Sequence, residues 1–250
     1  MKTESRLLIT RFSPKAELLA LELNKVGCFS IAQPLLRIEA LEDALTTEKF
    51  VNGYYDVVIA VSGNAVECTK RLINKEWPKA TYIAVGVSTQ ALLNDVIENE
   101  ALVPEDSADS EGLLNLELLQ SIQGKRILIL RGQGGRDLLD KTLAARGAEV
   151  TFLESYKRVK LDLNGIELVN NWQQASINGA IISSTEILNQ LFTLVPNKYK
   201  DWLSKLILYV PSGRVAEQAS LLGARQVVIL PSLRTERIVE FFKENNGKCK

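Results

Sequence analysis

Runs of Val, Ile and Leu recur along the chain at 6–11, 56–62, 81–86, 125–131, 179–184, 206–210 and 226–230. They do not alternate apolar with polar positions, so each is expected to be a strand buried on both faces, as in a parallel sheet covered by helices. The segments between them carry helical spacing. In 14–26 a proline opens the stretch, Ala16, Leu18, Leu19, Leu21, Leu23 and Val26 supply the apolar positions, and Gly27 follows as a stop. Leu138, Leu139, Leu143 and Ala144 repeat the pattern in 137–146, and Gly147 stops it. The expected class is α/β.

The chain also resembles itself. Arg6-Leu-Leu-Ile-Thr-Arg11 matches Arg126-Ile-Leu-Ile-Leu-Arg131 at a separation of 120, and Gly27 and Gly147 fall on the same offset. Val58 to Ser62 answers Ala180 to Ser184 at 122, and Tyr82 to Val85 answers Ile207 to Val210 at 125. A period this long suits a diverged duplication of a small doubly wound domain rather than a solenoid. Strands near 28–38 and 148–160 can cross between the domains, which would place both chain ends in one of them. The expected division is 1–35 with 160–250 against 38–155, with crossings near 34–38 and 155–160.

Composition narrows the function classes. Apolar residues are 46% and charged residues 24% of the chain, as in ordinary globular proteins. Thirty basic residues balance thirty acidic ones, so no global field draws in nucleic acid or an anionic membrane. No apolar stretch approaches a membrane span or a signal-peptide core. Three scattered cysteines, Cys28, Cys68 and Cys249, suggest neither a disulfide framework nor a CxxC metal site, and a reducing cytoplasm fits them. Histidine is absent. That excludes Ser-His-Asp and Cys-His catalysis and histidine-bearing zinc sites, and leaves proton transfer to carboxylates, lysines or tyrosines.

In parallel sheets, ligands bind beyond the carboxyl ends of the strands. Here those ends carry hydrogen-bonding residues: Thr10 and Arg11; Ser62, Gly63 and Asn64; Gly86, Ser88 and Thr89; Arg131 and the glycines after it; Ser183, Ser184 and Thr185; Ser212 and Gly213. The same residue types are preferred helix caps, and any one of them can be explained so. Their recurrence in both halves, with strand-terminal arginines suited to carboxylates, points to an acidic small molecule. The cluster Arg131-Gly-Gln-Gly-Gly-Arg-Asp137 misses a dinucleotide fingerprint, since Asp137 stands where the third glycine belongs. Anion binding by backbone N–H groups and a plain tight turn both remain open for it. Tyr156, beside Lys157 and Arg158 at an expected crossing, is one of few proton donors in a chain without histidine.

Taken in order, several segments resemble the uroporphyrinogen-III synthase family over essentially the whole chain. They are the early strand ending in Arg11, Val61-Ser-Gly-Asn-Ala-Val66, Val85-Gly-Val-Ser-Thr89, Ser110-Glu-Gly-Leu113, 125–132, Gly147 through Tyr156-Lys-Arg158, Ser183-Ser184, and Ser212-Gly-Arg-Val-Ala216 before Leu222-Gly223. The resemblance implies two similar flavodoxin-like domains with parallel sheets, joined by a two-strand crossing, with the active site in a cleft. It implies closure of hydroxymethylbilane to uroporphyrinogen III with ring D inverted through a spiro intermediate, without metal or cofactor. Tyr156 matches the tyrosine suspected of helping the hydroxyl leave, and Thr89 matches a cleft threonine. Ser62 stands where the family often has a threonine-serine pair. Arg11, Ser62, Asn64, Thr89, Arg131, Ser183, Ser184, Ser212 and Arg214 are the expected substrate-binding residues. A cytoplasmic monomer is expected, with transient contact to hydroxymethylbilane synthase. The competing reading is a cytosolic, non-enzymatic two-domain sensor for a small polyanion.

Overall fold

The structure is a computed structural model describing residues 4–41, 44–73, 76–105, 107, 109–134 and 137–246. Gly135, Arg136 and Cys249 lie outside the described residues, so the glycine cluster after Arg131 is described only in part. The described strands are β1 Leu7–Ile9, β2 Ser30–Ala32, β3 Leu36–Ala40, β4 Val57–Ala60, β5 Thr81–Ala84, β6 Arg126–Gly132, β7 Glu149–Lys160, β8 Gly179–Ile181, β9 Ile207–Val210 and β10 Gln226–Ile229. The described helices are α1 Lys15–Lys25, α2 Ala44–Asn52, α3 Gly63–Leu72, α4 Val87–Asn94, α5 Ser110–Asn115, α6 Leu138–Ala145, α7 Gly165–Gln174, α8 Thr185–Leu194, α9 Lys200–Lys205, α10 Gly213–Leu221 and α11 Thr235–Asn246.

Every apolar run identified in the sequence forms one of these strands, with β6 running one residue past the end of its run. Helix α1 buries Ala16, Leu19, Ala20 and Leu23, the i, i+3, i+4, i+7 stripe of an amphipathic helix. It is followed by Gly27 at φ +80°, and α6 by Gly147 at φ +87°, the left-handed conformation that glycine adopts without a Cβ clash.

The chain divides into two compact units, residues 1–37 with 159–250 and residues 38–158. In unit 1 the sheet order is β10-β9-β8-β1-β2, with every pair parallel. Counted within the unit, that is the doubly wound order 2-1-3-4-5. The second sheet runs β3-β7-β6-β4-β5. By the offset near 120, β7, β6, β4 and β5 are the counterparts of β2, β1, β8 and β9, so it repeats the same order with the halves of the chain exchanged. A single bridge from Ile83 to Leu102 stands where unit 1 has β10.

Alternation along each strand feeds two cores. In unit 1, Leu8, Ala180, Leu208 and Val210 face one layer of helices, while Leu7, Ile9, Ile181 and Tyr209 face the other. In unit 2, Val58, Ala60, Leu128 and Leu130 pack on one side and Val57, Ile59, Ile127 and Ile129 on the other. Strand β10 departs from the expected burial on both faces. Among the described strands it is an edge strand with only β9 beside it, and Ile229 is 53% exposed.

Candidate active site

Parallel register aligns the ends of neighbouring strands. In unit 2, Ala60 pairs with both Leu130 and Ala84, so residues 62, 132 and 86, two positions on, emerge together at the carboxyl edge of the sheet. Ser62 takes extended backbone there and caps α3, its Oγ accepting from Ala65 N at 3.1 Å. Asn64 lies partly buried in the first turn of α3, and Thr89 is buried in the first turn of α4.

Tyr156 comes to the same place from β7. Its ring is buried, and its phenol oxygen is 3.1 Å from Ser62 Oγ. Arg158 Nη2 donates to that oxygen at 3.2 Å, with the guanidinium carbon 5.5 Å from the ring centroid. Arginine can only donate, so the phenol oxygen must accept from it. Two proton arrangements then satisfy the pair. Either the phenol donates to Ser62, or Ser62 donates to the phenol and leaves the phenol hydrogen for a ligand. In the second arrangement two donors face the phenol oxygen, and its own hydrogen is left to point elsewhere.

Arg131 is not part of this cluster. Ile127, Ile129 and Arg131 share one face of β6, opposite to Leu128, Leu130 and the core that holds Tyr156. Its guanidinium lies 4.3 Å over the Phe152 ring, and its Nε is 3.3 Å from Glu154 Oε1 without being aimed along the N–H axis.

Unit 1 gathers the remaining candidates by the same logic. Ile9 pairs with Ile181 and Ile181 with Tyr209, so Arg11, Ser183 and the turn holding Ser212 follow three adjacent strand ends. Ser184 caps α8, accepting from Ile187 N at 3.3 Å, whereas Ser212 precedes α10 without a side-chain cap bond. Arg214 is exposed and its Nη1 donates to Thr185 Oγ1 at 3.1 Å. Arg11 differs from these. Its Nη1 is buried and has no hydrogen-bond partner among the described residues, and burial pushes the guanidinium pKa down from its ordinary value. Thr10 is spoken for, since its Oγ1 donates to Ile181 O at 2.8 Å.

Two neighbours of the phenol, both visible in the sequence beside Tyr156 and Arg131, were not among the expected site residues. Arg158 sits two residues beyond Tyr156 on one strand, and period-two alternation is the signal that could have found it. Gly132 lies across the β6–β7 pair from Tyr156. Among the described residues no group of three His, Cys, Asp or Glu side chains could hold a metal ion, and no helix is long and apolar enough to cross a membrane.

Comparison with known proteins gives a consistent result. The family model described as uroporphyrinogen-III synthase HemD matches residues 17–240. A uroporphyrinogen-III synthase of Escherichia coli is 36% identical over 230 residues, 89% of this chain and 94% of that protein. One of Salmonella typhimurium is 37% identical over 234 residues, with the same shares covered. A mutant uroporphyrinogen III synthase structure from Thermus thermophilus aligns with TM-score 0.69 at 18% identity, covering 98% of this chain and 99% of that one. The Helicobacter pylori enzyme aligns with TM-score 0.61 at 14% identity, covering 96% and 99%, and both structures speak to the fold.

Proposed function

The chain belongs to the uroporphyrinogen-III synthase family, and from that premise we propose that Tyr156 is its proton donor, with Ser62 and Arg158 holding the phenol. The activity is that of the family: hydroxymethylbilane is closed to uroporphyrinogen III with ring D inverted. One observation carries the assignment, the phenol oxygen standing 3.1 Å from Ser62 Oγ and 3.2 Å from Arg158 Nη2.

The hydroxyl of the substrate's hydroxymethyl group leaves as the adjacent pyrrole nitrogen pushes its electron pair towards the carbon–oxygen bond. The phenol proton passes to the departing oxygen, which leaves as water, and the phenolate oxygen keeps its bonds from Arg158 and Ser62. Ring D then attacks the exposed methylene through its substituted carbon, giving a spiro intermediate that fragments and recloses with the ring reversed. The net reaction loses one water, so the proton lent by Tyr156 is restored when the closing carbon sheds its own. Because the pyrrole supplies most of the push, a weak acid suffices, and much of the rate comes from holding one curled geometry.

Unit 1 has groups of its own that suit a carboxylate. A buried guanidinium N–H without a partner carries a desolvation cost that a carboxylate would offset, and Arg11 is assigned to one on that ground. Ser183, Ser184, Ser212 and Arg214 are assigned to the same task in unit 1, and Asn64 and Thr89 in unit 2, each from its place at a strand end or helix start. Arg131, already against Glu154 and Phe152, is assigned at most a supporting role. A cytoplasmic setting accords with Cys28 and Cys68 both being buried thiols.

The test is Tyr156→Phe in a coupled assay, with hydroxymethylbilane generated by its synthase and uroporphyrins I and III separated after oxidation. Turnover to the III isomer should fall by up to about 100-fold, the lower end for loss of general acid catalysis, without vanishing. Full activity would remove Tyr156 from the mechanism.

A further inference from the structure

Strands β6 and β7 pair one to one from Arg126 with Glu149 to Arg131 with Glu154, and then Gly132 pairs with Tyr156. Ser155 is the extra residue of a β-bulge. In an unbroken strand, residues 154 and 156 would share a face. Glu154 points to the side of Arg131, yet Tyr156 packs with Leu128, Leu130 and Leu153 on the other side. The inserted residue has turned Tyr156 over, as bulges beside functional sites do when they re-aim a side chain.

The bulge is pinned from several directions. Ser155 Oγ donates to Ala65 O in α3 at 3.1 Å, and Ser155 O accepts from Leu41 N at 2.9 Å. Tyr156 O accepts from Gln133 N at 2.7 Å. Across from the ring stands Gly132. A Cβ there would lie 2.4 Å from Tyr156 Cζ, 2.6 Å from Cε2 and 2.9 Å from Cε1. The glycine's φ is not in the left-handed region, so it is present for space rather than for backbone freedom.

We propose that Gly132, acting with the Ser155 bulge, is a positioning residue for the proton donor: its bare Cα is the surface on which the Tyr156 ring lies, and it fixes where the phenol oxygen stands. The inference rests on the assignment of Tyr156 as donor. To bring a Cβ contact from 2.4 Å out to an ordinary 3.4 Å the ring must move by about 1 Å, which would open bonds now at 3.1 and 3.2 Å. Displacements of that size at a reacting group cost on the order of 100-fold in rate.

The experiment is a double-mutant cycle on the full chain with Gly132→Ala, Tyr156→Phe and the combination, reading kcat, KM and melting temperature. Gly132→Ala should lower kcat by nearly the factor seen for Tyr156→Phe, with KM within about twofold, and should cost nothing further when added to Tyr156→Phe. If it slows the Tyr156→Phe enzyme by the same factor as the parent, Gly132 serves only the fold and the inference is overturned, while Tyr156 stands as donor. If Tyr156→Phe alone is fully active, the donor assignment falls first and the inference with it. Should Gly132→Ala not fold, Ser155→Ala enters the same cycle, with a several-fold loss of kcat expected that is absent when Tyr156→Phe is already in place. An equal loss in both backgrounds would overturn the inference.

Discussion

Replacing Ser62 with alanine removes one hydroxyl that has two separable tasks. As the cap of α3 it accepts from Ala65 N, and loss of a serine cap costs about 1 kcal/mol. For a chain of this size that lowers the melting temperature by roughly 2–4 °C. As the neighbour of the Tyr156 phenol it makes one hydrogen bond, and if Ser62 is the donor that bond strengthens by about 1 kcal/mol as the phenol becomes a phenolate, so its loss lowers kcat roughly fivefold. Ser62→Thr keeps the hydroxyl and should recover both quantities. Ser184 makes the matching cap on α8 in unit 1 without a phenol, so Ser184→Ala should show a similar thermal cost with its kinetic effect in KM rather than kcat. The variants are compared by thermal melting and by the coupled isomer assay under saturating substrate. Unchanged kcat in Ser62→Ala, with the thermal cost present, would show that the phenol does not depend on Ser62. An equal kcat loss in the threonine variant would refute the role of the hydroxyl itself.

Arg11→Met should raise the melting temperature while raising KM at least tenfold, because a desolvated charge without a full set of partners is replaced by an apolar chain of similar length. A lower melting temperature would contradict the absence of a partner in the substrate-free protein. Asp56 accepts from Arg126 N at 2.8 Å and from Lys125 Nζ at 3.0 Å, and these bonds, the backbone one foremost, hold its carboxyl below the ordinary carboxylate value. A depressed carboxyl adds stability above its unfolded pKa, near 4, and loses it as pH falls through the folded value. Asp56→Asn should therefore be less stable at neutral pH and show a shallower acid limb in unfolding titrations, and an unchanged limb would assign acid lability to other groups.

Much of the fold could be read in the chain because parallel strands buried on both faces leave uninterrupted apolar runs. Val57–Ala60 and Gly179–Ile181 needed nothing more. Strand β7 was harder, since Glu154, Ser155, Lys157 and Arg158 break its apolar pattern. The exposure of Ile229 depends on which strand ends the sheet, a property of topology rather than of the segment. At the site, Ser62 and Ser184 announced themselves as caps. The face of Arg131 could have been counted from Ile127 and Ile129, and Arg158 from Tyr156. Gly132 could not, because its partner is fixed by a register shift that one sequence does not display. Read alone, it looked like the first glycine of a turn.

The two segments of unit 1 are separated in the chain by the whole of unit 2, and this imposes an order of events at the ribosome. Strand β1 is made early, but β8, its parallel neighbour, follows only after residues 38–158 have been synthesised. At translation speeds of roughly 5–20 residues per second that delay is on the order of ten seconds, far longer than a small domain needs to fold. Unit 2 can thus complete its sheet while β1, α1 and β2 wait with an open edge. During that interval Leu7, Leu8 and Ile9, all fully buried at the end, have no β8 to lie against, which makes the nascent amino-terminal segment the natural point of chaperone attention.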